Sequence, residues 1–353
     1  MTICILYGGR SGEHEVSLRS AASVAANLDP RKHQTIAIGI DKAGAWHLQE
    51  RVVSRRLPGQ GDALEILPSA RKVAVVPGDG IHAGGVRLAI DCVFPMLHGT
   101  YGEDGTVQGL LDIAGLPYVG AGVLGSSISM DKERSKRLWR EAGIPVVEFA
   151  VVARGDDPAG PASVGFPACV KPVSAGSSLG VHRVDGPDRL AAALEDALRY
   201  DTRALVERFV DAREIECSVI GNGTPRAFPP GEVVPAGGHA FYDYDAKYTD
   251  PDGARLEAPA RIPRETQERV MSRAGRAYAV VGCEGMARVD FFLERGTDRL
   301  YVNEINTIPG FTSISMFPRM CAVAGMAYPE LLDTLIGLAL ERHRLRSTVR
   351  FEK

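Results

Sequence analysis

Two runs of alternating polar and apolar residues near the carboxyl end of the chain constrain its fold most. In the first run, MARVDFFL at positions 286–293, Arg288 and Asp290 alternate with Val289 and Phe291. A period of two is typical of a β-strand with one buried face. The turn-like sequence RGTD follows, so the segment predicts a β-hairpin with one face in the core and the other carrying charge.

The second strand of the predicted hairpin is the run LYVNEIN at positions 300–306. Its period of two predicts that Leu300, Val302, Glu304 and Asn306 share one face. Because neighbouring side chains point to opposite faces, a slip of one residue in the register would move a whole set of side chains to the other face. The pairing register therefore decides which side chains meet across the hairpin.

The two strands predict a metal site. If the hairpin is centred near Thr297, Asp290 lies opposite Glu304 and Arg288 lies opposite Asn306. Directly opposed residues of antiparallel strands have Cβ atoms about 4.5 to 5.5 Å apart. Two carboxylates and an amide oxygen suit Mg²⁺, which leaves its other coordination positions to water and phosphate oxygens. The alternative interpretation is a surface hairpin with mixed charges.

Two glycine-containing loops are suited to hold an anion. The turn TIPGFTS at 307–313 directly follows the predicted metal strand, and the loop SAGSSLG at 174–180 follows a strand that contains Lys171. Backbone N–H groups of such loops can approach a phosphate closely. The second loop is not a Walker A loop, because the lysine precedes the glycines and no GK[ST] follows. Lys171 and this loop together predict phosphate binding.

Polar turns also follow two apolar strands in the first third of the chain. Glu13 lies in the turn after the strand ICILY, and His98 follows the strand CVFPML. Open α/β sheets bind ligands beyond the carboxyl ends of such strands. Glu13 can hold a substrate ammonium or only favour the N-terminus of the next helix, and a lone histidine is more often structural than catalytic. A dinucleotide-binding motif is disfavoured, because GGRSGE lacks the GxGxxG spacing.

Three further segments combine a predicted element or loop with charged or polar side chains. MDKERSK opens a helix in which Asp131 is the N-cap and Lys132 lies in the first turn. The strand ALVERFV can form a domain hinge. Its backbone can also pair with a purine edge, and Glu214 beyond it can bind ribose hydroxyls. The segment FYDYDAKY at 241–248 suits a lid that closes on phosphate and excludes water. The alternative for this last segment is a packed surface loop.

Composition places the chain among ordinary globular proteins. Its 353 residues allow two or three domains, and its net charge of -3 disfavours nucleic acid or an anionic membrane as a partner. We expect a soluble protein that is not exported by a leader, because no basic leader is present and no run reaches the roughly 18 apolar residues that span a bilayer. Six scattered cysteines without a CxxC motif predict reduced core residues in a cytosolic protein. Short strand-like pieces within residues 42–90 predict a β-rich elaboration of the first domain.

Through these residues the chain resembles the bacterial D-alanine–D-alanine ligases of the ATP-grasp superfamily. The resemblance covers nearly the whole chain, and its motifs are very specific as a set although each alone is not. They are GEHEVS (12–17), HGTYGEDGTVQGLL (98–111), MDKERSK (130–136), KPVSAGSSLGV (171–181), FYDYDAKY (241–248), MARVDFF (286–292) and NEINTIPGFTSIS (303–315). One departure is Arg208, where relatives often have lysine, but the adenine contact there can be made by the backbone.

The resemblance implies the fold and the domain organisation. We expect α/β and α+β structure in a three-domain ATP-grasp architecture, with ATP bound between the central and C-terminal domains. The expected domains are an N-terminal open α/β substrate-binding domain at 1–121, a central ATP-grasp subdomain at 122–213, and a C-terminal ATP-grasp subdomain at 214–353 with the metal and catalytic residues.

It also implies the reaction. ATP phosphorylates the carboxylate of one D-alanine, and the amine of a second attacks the acyl phosphate, which forms D-alanyl-D-alanine for peptidoglycan precursor synthesis. The implied cofactors are ATP and a pair of Mg²⁺ ions, for which Mn²⁺ can substitute, and the implied assembly is a cytoplasmic homodimer. The alternatives are a sister ligase that uses D-lactate or D-serine as the acceptor, and a non-catalytic ATP-binding sensor.

Each matched residue takes a role from the family. The residues implied for catalysis are Glu13 for the first ammonium, His98 near the first amino acid, Arg288 and the Gly310 N–H for the oxyanion, Ser315 for the second carboxylate, and Ser177 and Tyr248, which join Glu13 when the lid closes. Those implied for ATP are Lys132, Lys171 and Lys247 at the phosphates, Ser178 in the loop that covers them, and Glu207, Arg208, Phe209, Val210, Glu214 and Phe292 around adenosine. The implied metal ligands are Asp290, Glu304 and Asn306. A tyrosine at position 248 further implies D-alanine as the acceptor.

Overall fold

The computed structural model describes residues 1–57, 61–157, 163–235, 254–312 and 314–350. Three main sheets of four, four and six strands follow one another along the described chain, and two small sheets accompany the first. Lys247 and Tyr248 of the predicted lid lie outside the described residues.

The N-terminal part is built on a mostly parallel sheet. Its elements are β1 (Thr2–Gly8), α1 (His14–Asn27), β2 (Gln34–Ile40), β3 (Trp46–Gln49), β4 (Ser54–Leu57), β5 (Gly61–Leu64), β6 (Val73–Val76), β7 (Gly80–Ala83), β8 (Val86–Arg87), β9 (Cys92–Met96) and α2 (Thr106–Ala114). The main sheet has the order β3-β2-β1-β9, and β1 pairs in parallel with both neighbours. The run ICILY is apolar throughout because both faces of β1 are buried: Ile3 and Ile5 face one core, Cys4 and Leu6 another.

The β-rich elaboration predicted for residues 42–90 is present. β4 pairs with β5, and β6, β7 and β8 form a three-stranded antiparallel sheet. β5 packs against α1, so the elaboration supports the helix that follows the Glu13 turn.

The central part is a four-stranded antiparallel sheet with helices around it. Its elements are α3 (Val123–Met130), α4 (Lys132–Glu141), β10 (Phe149–Ala153), β11 (Ala168–Pro172), β12 (His182–Val184), a 3₁₀ turn (Pro187–Arg189), α5 (Leu190–Tyr200) and β13 (Arg203–Arg208). The strand order is β10-β13-β11-β12. The predicted cap is confirmed, since Asp131 Oδ1 accepts a hydrogen bond from the Arg134 N–H at 2.9 Å.

The C-terminal part contains the largest sheet. Its elements are β14 (Ala212–Ile220), β15 (Arg226–Ala227), β16 (Gly231–Pro235), β17 (Ala254–Glu257), α6 (Arg264–Val280), β18 (Met286–Glu294), β19 (Leu300–Asn306), α7 (Met316–Val323) and α8 (Tyr328–Ser347). The strand order is β17-β16-β14-β18-β19, with β15 added beside β14. α6 packs on one face of this sheet and α7 contacts β14. The predicted hairpin therefore lies at one side of the sheet, with β18 next to β14 and β19 as the edge strand.

All six cysteines are free thiols, as predicted, and Cys169 alone among them is not fully buried. Among the described residues, no single helix is long and apolar enough to cross a membrane. α7 and α8 meet that criterion of length and composition only as a pair bent by 103°.

Candidate active site

The predicted pairing in the β18–β19 hairpin is confirmed. Asp290 pairs with Glu304, and Arg288 pairs with Asn306. A register shift between Asp290 and Phe291 marks a β-bulge, which leaves Asn303 as the extra residue of β19.

The bulge corrects one expectation about the faces of β19. Leu300 and Val302 do not share a face with Glu304 and Asn306, because the extra residue reverses the alternation between them. Leu300 and Val302 are buried in the core, as is Ile305. Beyond the bulge, Glu304 and Asn306 lie on the opposite face, which is the face of Asp290.

Arg288 lies at the centre of an acidic cluster on that face. Its guanidinium donates to both oxygens of Asp290, at 2.7 and 2.6 Å, and lies 3.3 Å from a Glu216 oxygen. Burial acts to lower the pKa of Arg288, but the charges of Asp290 and Glu216 outweigh it and hold the pKa well above its ordinary value. Glu216 was not predicted, although it lies on β14 directly opposite Asp290.

The oxygen donors predicted for Mg²⁺ are neighbours on this face. The Asn306 side-chain amide donates to Asp290 Oδ2 at 3.1 Å, and Glu304 pairs with Asp290 across the hairpin. Two carboxylates and an amide oxygen are hard ligands of the kind that Mg²⁺ takes in nucleotide sites, so this donor set fits the ion.

Two predicted lysines, one from α4 and one from β11, approach the acidic edge that Asp290 and Glu304 form. Lys132 Nζ donates to the Ala175 carbonyl at 2.8 Å and lies 3.5 Å from Glu304 Oε2. Lys171 Nζ donates to Asn303 Oδ1 at 3.2 Å. The bulge residue thus contacts one lysine, and the proposed metal ligand beside it lies near the other.

A third lysine, Lys136, was not predicted for the site. It is fully buried, and its Nζ lies 2.7 Å from Glu207, whose other oxygen lies 2.5 Å from Lys171. Burial acts to raise the pKa of Glu207, but the two lysine charges outweigh it and lower the pKa to about 2. The Glu207 carboxylate is therefore charged and orders the two lysines. The sequence signal was a second lysine one helical turn after Lys132.

The glycine-serine loop meets the N-terminal part. The Ser177 hydroxyl donates to Glu13 Oε1 across 164 positions of sequence. Ser177 and Ser178 both have positive φ, 53° and 57°, a conformation that non-glycine residues rarely adopt. Two successive left-handed residues turn the loop sharply at its contact with Glu13. Two of the three residues predicted to join on closure are in contact, and the third, Tyr248, is not described.

The predicted adenosine residues follow β13. The Arg208 side chain donates to Glu294 and Tyr301 at 3.2 and 3.3 Å. The Phe209 N–H donates a hydrogen bond to the Pro167 carbonyl. In the described part of the chain, no protein group accepts a hydrogen bond from the Val210 N–H. Val210 thus keeps a backbone donor for a ligand, as the purine-edge prediction requires.

His98 is buried, and both of its ring nitrogens are hydrogen-bonded within the protein. Nδ1 lies 2.8 Å from the Ile308 carbonyl and Nε2 lies 2.9 Å from the Ser20 hydroxyl. A carbonyl only accepts, so Nδ1 carries the proton and Nε2 accepts from Ser20. Burial lowers the pKa of His98, which agrees with this neutral form.

One cavity of about 930 Å³ collects the predicted residues. Every predicted site residue within the described ranges lines it: Glu13, His98, Lys132, Lys171, Ser177, Ser178, Glu207, Arg208, Phe209, Val210, Glu214, Arg288, Asp290, Phe292, Glu304, Asn306, Gly310 and Ser315. Glu103, which was not predicted, lines it as well. The cavity brings the lysines, the acidic edge and the backbone turn at Gly310 together, an arrangement suited to a nucleotide phosphate.

Comparisons with known proteins extend this result. A family model described as D-ala D-ala ligase N-terminus matches residues 2–121, and one described as D-ala D-ala ligase C-terminus matches residues 138–337. The D-alanine–D-alanine ligase of Solibacter usitatus is 47% identical over 100% of this chain and 99% of its own. The D-alanine-D-alanine ligase structure from Coxiella burnetii has a TM-score of 0.85 and 36% identity, covering 98% of this chain and 96% of its own. The VanG D-Ala:D-Ser ligase structure from Enterococcus faecalis has a TM-score of 0.84 and 34% identity, covering 96% and 99%.

The fold and the cavity define the class of ATP-grasp enzymes, in which two sheet-based units enclose a nucleotide. Within that class, the chain belongs to the D-alanine–D-alanine ligase family. It is an ADP-forming ligase that joins two D-alanines.

Proposed function

We propose that the cavity binds ATP and both D-alanines, and that the residues lining it perform the two steps of the ligation. The observation that carries this proposal is the single cavity that holds the phosphate lysines, the acidic strand edge and the Gly310 turn. Lys132 and Lys171 neutralise phosphate charge, and the loop at Ser178 covers the phosphates. The adenine lies along Phe209 and Val210 with Phe292 nearby, and Glu214 binds the ribose.

The acidic edge is proposed as the metal site. Asp290, Glu304 and Asn306 would hold Mg²⁺, for which Mn²⁺ can substitute, and the bound ion would supply positive charge that offsets the charge of the phosphates. Arg288 already contacts Asp290 in the structure. Its guanidinium therefore lies beside a proposed metal ligand, where the acyl phosphate is proposed to bind.

The substrate subsites follow from the elements around the turn 307–315. Glu13 binds the first ammonium, and Ser315 binds the second carboxylate. Ser315 Oγ accepts a hydrogen bond from the Thr312 N–H at 3.0 Å and lies against Gly310. When the second amine attacks, Arg288 and the Gly310 N–H stabilise the oxyanion of the tetrahedral intermediate.

Closure of the site completes the proposal. The contact between Ser177 and Glu13 supports a closed loop over the phosphates. Lys247 is proposed to reach the γ-phosphate and Tyr248 to join Ser177 and Glu13, which excludes water from the acyl phosphate.

We also propose the domain boundaries 1–121, 122–213 and 214–353 and a role in peptidoglycan precursor synthesis. The first two main sheets, within 2–96 and 149–208, support that division, and the third sheet begins at Ala212, two residues before the last proposed boundary.

Among the acceptors that related ligases use, D-alanine is proposed to be strongly preferred. The similarity to a D-Ala:D-Ser ligase at 34% identity keeps D-serine as the second candidate. The test is mass spectrometry of the products formed from ATP, Mg²⁺ and an equimolar mixture of D-alanine, D-serine and D-lactate. We expect D-alanyl-D-alanine as the main product. Predominant D-alanyl-D-serine or D-alanyl-D-lactate would overturn the acceptor assignment, and release of phosphate without any dipeptide would overturn the ligation.

A further inference from the structure

Both backbone groups of Ile308 are held by side chains from the turn after β9. The Ile308 N–H donates to Glu103 Oε1 at 2.9 Å, and the Ile308 carbonyl accepts from His98 Nδ1 at 2.8 Å. The other oxygen of Glu103 accepts from the Gly99 N–H at 2.8 Å, which ties the same turn together. These residues are about 200 positions apart in sequence.

Phe311, three residues later, is held in the same way from two helices. Its N–H points to the Ser20 hydroxyl of α1 at 3.4 Å, and its carbonyl accepts from the Tyr328 hydroxyl of α8. The Ser20 hydroxyl in turn donates to His98 Nε2. His98 therefore links the two ends of the segment Ile308–Phe311.

Only one backbone donor in this segment remains for a ligand. Pro309 has no N–H, and the N–H groups of Ile308 and Phe311 are bound as described. Among the described residues, no protein group accepts a hydrogen bond from the Gly310 N–H. Gly310 lines the cavity together with Ile308 and Pro309, whereas Phe311 is buried.

We infer that Glu103 and His98 are positioning residues that clamp the segment Ile308–Phe311 and so aim the Gly310 N–H at the reacting carbonyl. The inference rests on the proposed role of Gly310. Oxyanion stabilisation requires a donor fixed before the reaction, and a shift of about 1 Å in such a group costs about 10²-fold in rate. The N-terminal part thereby shapes a catalytic element of the C-terminal part without supplying a reacting group.

Glu103→Ala tests the clamp, and Asp104→Ala is its matched control. Asp104 also accepts two backbone N–H bonds, from Tyr101 and Thr106, but these stay within its own turn. We expect Glu103→Ala to lower kcat about 10- to 100-fold with the KM for ATP changed less than about threefold. Amide hydrogen exchange of the peptide spanning 303–312 should accelerate in Glu103→Ala and not in Asp104→Ala. Equal losses of kcat in both variants, or unchanged exchange in Glu103→Ala, would overturn the clamp.

A pair of His98 variants separates positioning from substrate contact. His98→Asn places an amide near the original Nδ1 and keeps a donor for Ile308, whereas His98→Gln places it near Nε2 and loses that bond. We expect a kcat roughly 10-fold higher for His98→Asn than for His98→Gln. Equal activity of the two variants would overturn the role of the Ile308 bond. If the wild-type protein formed no dipeptide, the proposed function would fail, while the exchange measurement would still decide the clamp.

Discussion

At the scale of the residue, the charged side chains of the site are held in place by ion pairs with other charged side chains. Arg288 is held by Asp290 and Glu216, and Glu207 is held by Lys136 and Lys171. Removing one member of such a buried set leaves its partner uncompensated. Substitutions that keep shape or charge therefore report on chemistry better than substitutions to alanine.

Glu304→Gln is expected to reduce turnover by at least about 10²-fold and leave the fold intact. It removes one negative charge from a site that must hold Mg²⁺ beside several phosphate oxygens. Phosphate release at saturating ATP and D-alanine measures the effect, and Glu265→Gln, an exposed residue on α6, is the control. Turnover within a few-fold of wild type would place Glu304 outside the metal site.

Arg288→Lys should lower kcat by about 10²-fold with a much smaller change in KM. Lysine keeps the positive charge between Asp290 and Glu216 but loses the planar fork that can also reach an oxyanion. Steady-state kinetics separate the two parameters, and thermal unfolding checks the fold. An early-melting variant with normal kcat per folded molecule would show that the guanidinium serves packing alone.

Glu103 should make stability depend on pH. Burial, followed by the charge of Glu13, raises the pKa of Glu103 from 4.5 to about 8. Because the folded-state pKa lies above the unfolded one, the stabilisation is complete below about pH 4.5 and is lost as the pH rises through 8. Glu103→Gln cannot ionise, so wild type should lose Tm relative to this variant between pH 6 and 9. A Tm difference that is constant over this range would contradict the shift.

At the scale of the element, close approaches between helices and turns decide which sequence is tolerated. A Cβ on Gly125 of α3 would lie 2.7 Å from the backbone oxygen of Gly282, in the turn after α6. A Cβ on Gly337 of α8 would meet nothing within 4 Å. The same substitution should therefore have opposite effects at the two positions.

Gly125→Ala should destabilise the protein by about 1 to 3 kcal/mol, because the added methyl forces α3 away from the turn. Gly337→Ala should stabilise it by about 0.5 to 1 kcal/mol, since alanine loses less backbone entropy in a helix. Urea unfolding midpoints compare the two variants with wild type. A neutral Gly125→Ala would mean that α3 does not pack tightly on that turn.

At the scale of the whole molecule, the C-terminal helix ties distant parts of the chain together. Arg342 of α8 is buried, donates to the carbonyls of Tyr118 and Gly120, and lies 4.4 Å from the centre of the Tyr118 ring. Both carbonyls belong to the segment after α2, in which Tyr118 forms a β-bridge with Val93 of β9. The same helix supplies Tyr328 to the turn at Phe311. α8 therefore bridges the N-terminal part and the active-site turn.

Arg342→Met should cost about 2 to 4 kcal/mol of stability, because it leaves two buried carbonyls without donors. Arg344→Met, which changes an exposed residue on the same helix, should stay within about 0.5 kcal/mol of wild type. Chemical unfolding measures both variants. Equal stability of the two would show that the contacts of Arg342 to the carbonyls contribute nothing.

Local patterns were enough to predict much of the fold and the chemistry. The alternation of β18 and β19 predicted the pairing of Asp290 with Glu304, and the start of the helix after Asp131 was predicted from its capping residue. Two short helices, α3 and α7, were not predicted. Each has eight residues, too few for a helical period to show, and α7 contains Pro318.

The sequence by itself therefore determined the residue types of the site and the strand pairing that joins its acidic groups, because both depend on neighbours along the chain. Only the tertiary structure decided that Lys136 and Lys171 both contact Glu207, and that Glu103 and His98 hold Ile308. It also decided where the bulge reverses the alternation of side chains in β19. The contacts of Glu207 and Ile308 join residues far apart in sequence, up to 210 positions for His98 and Ile308. No local pattern encodes them, because they exist only when the separate sheets pack around one cavity.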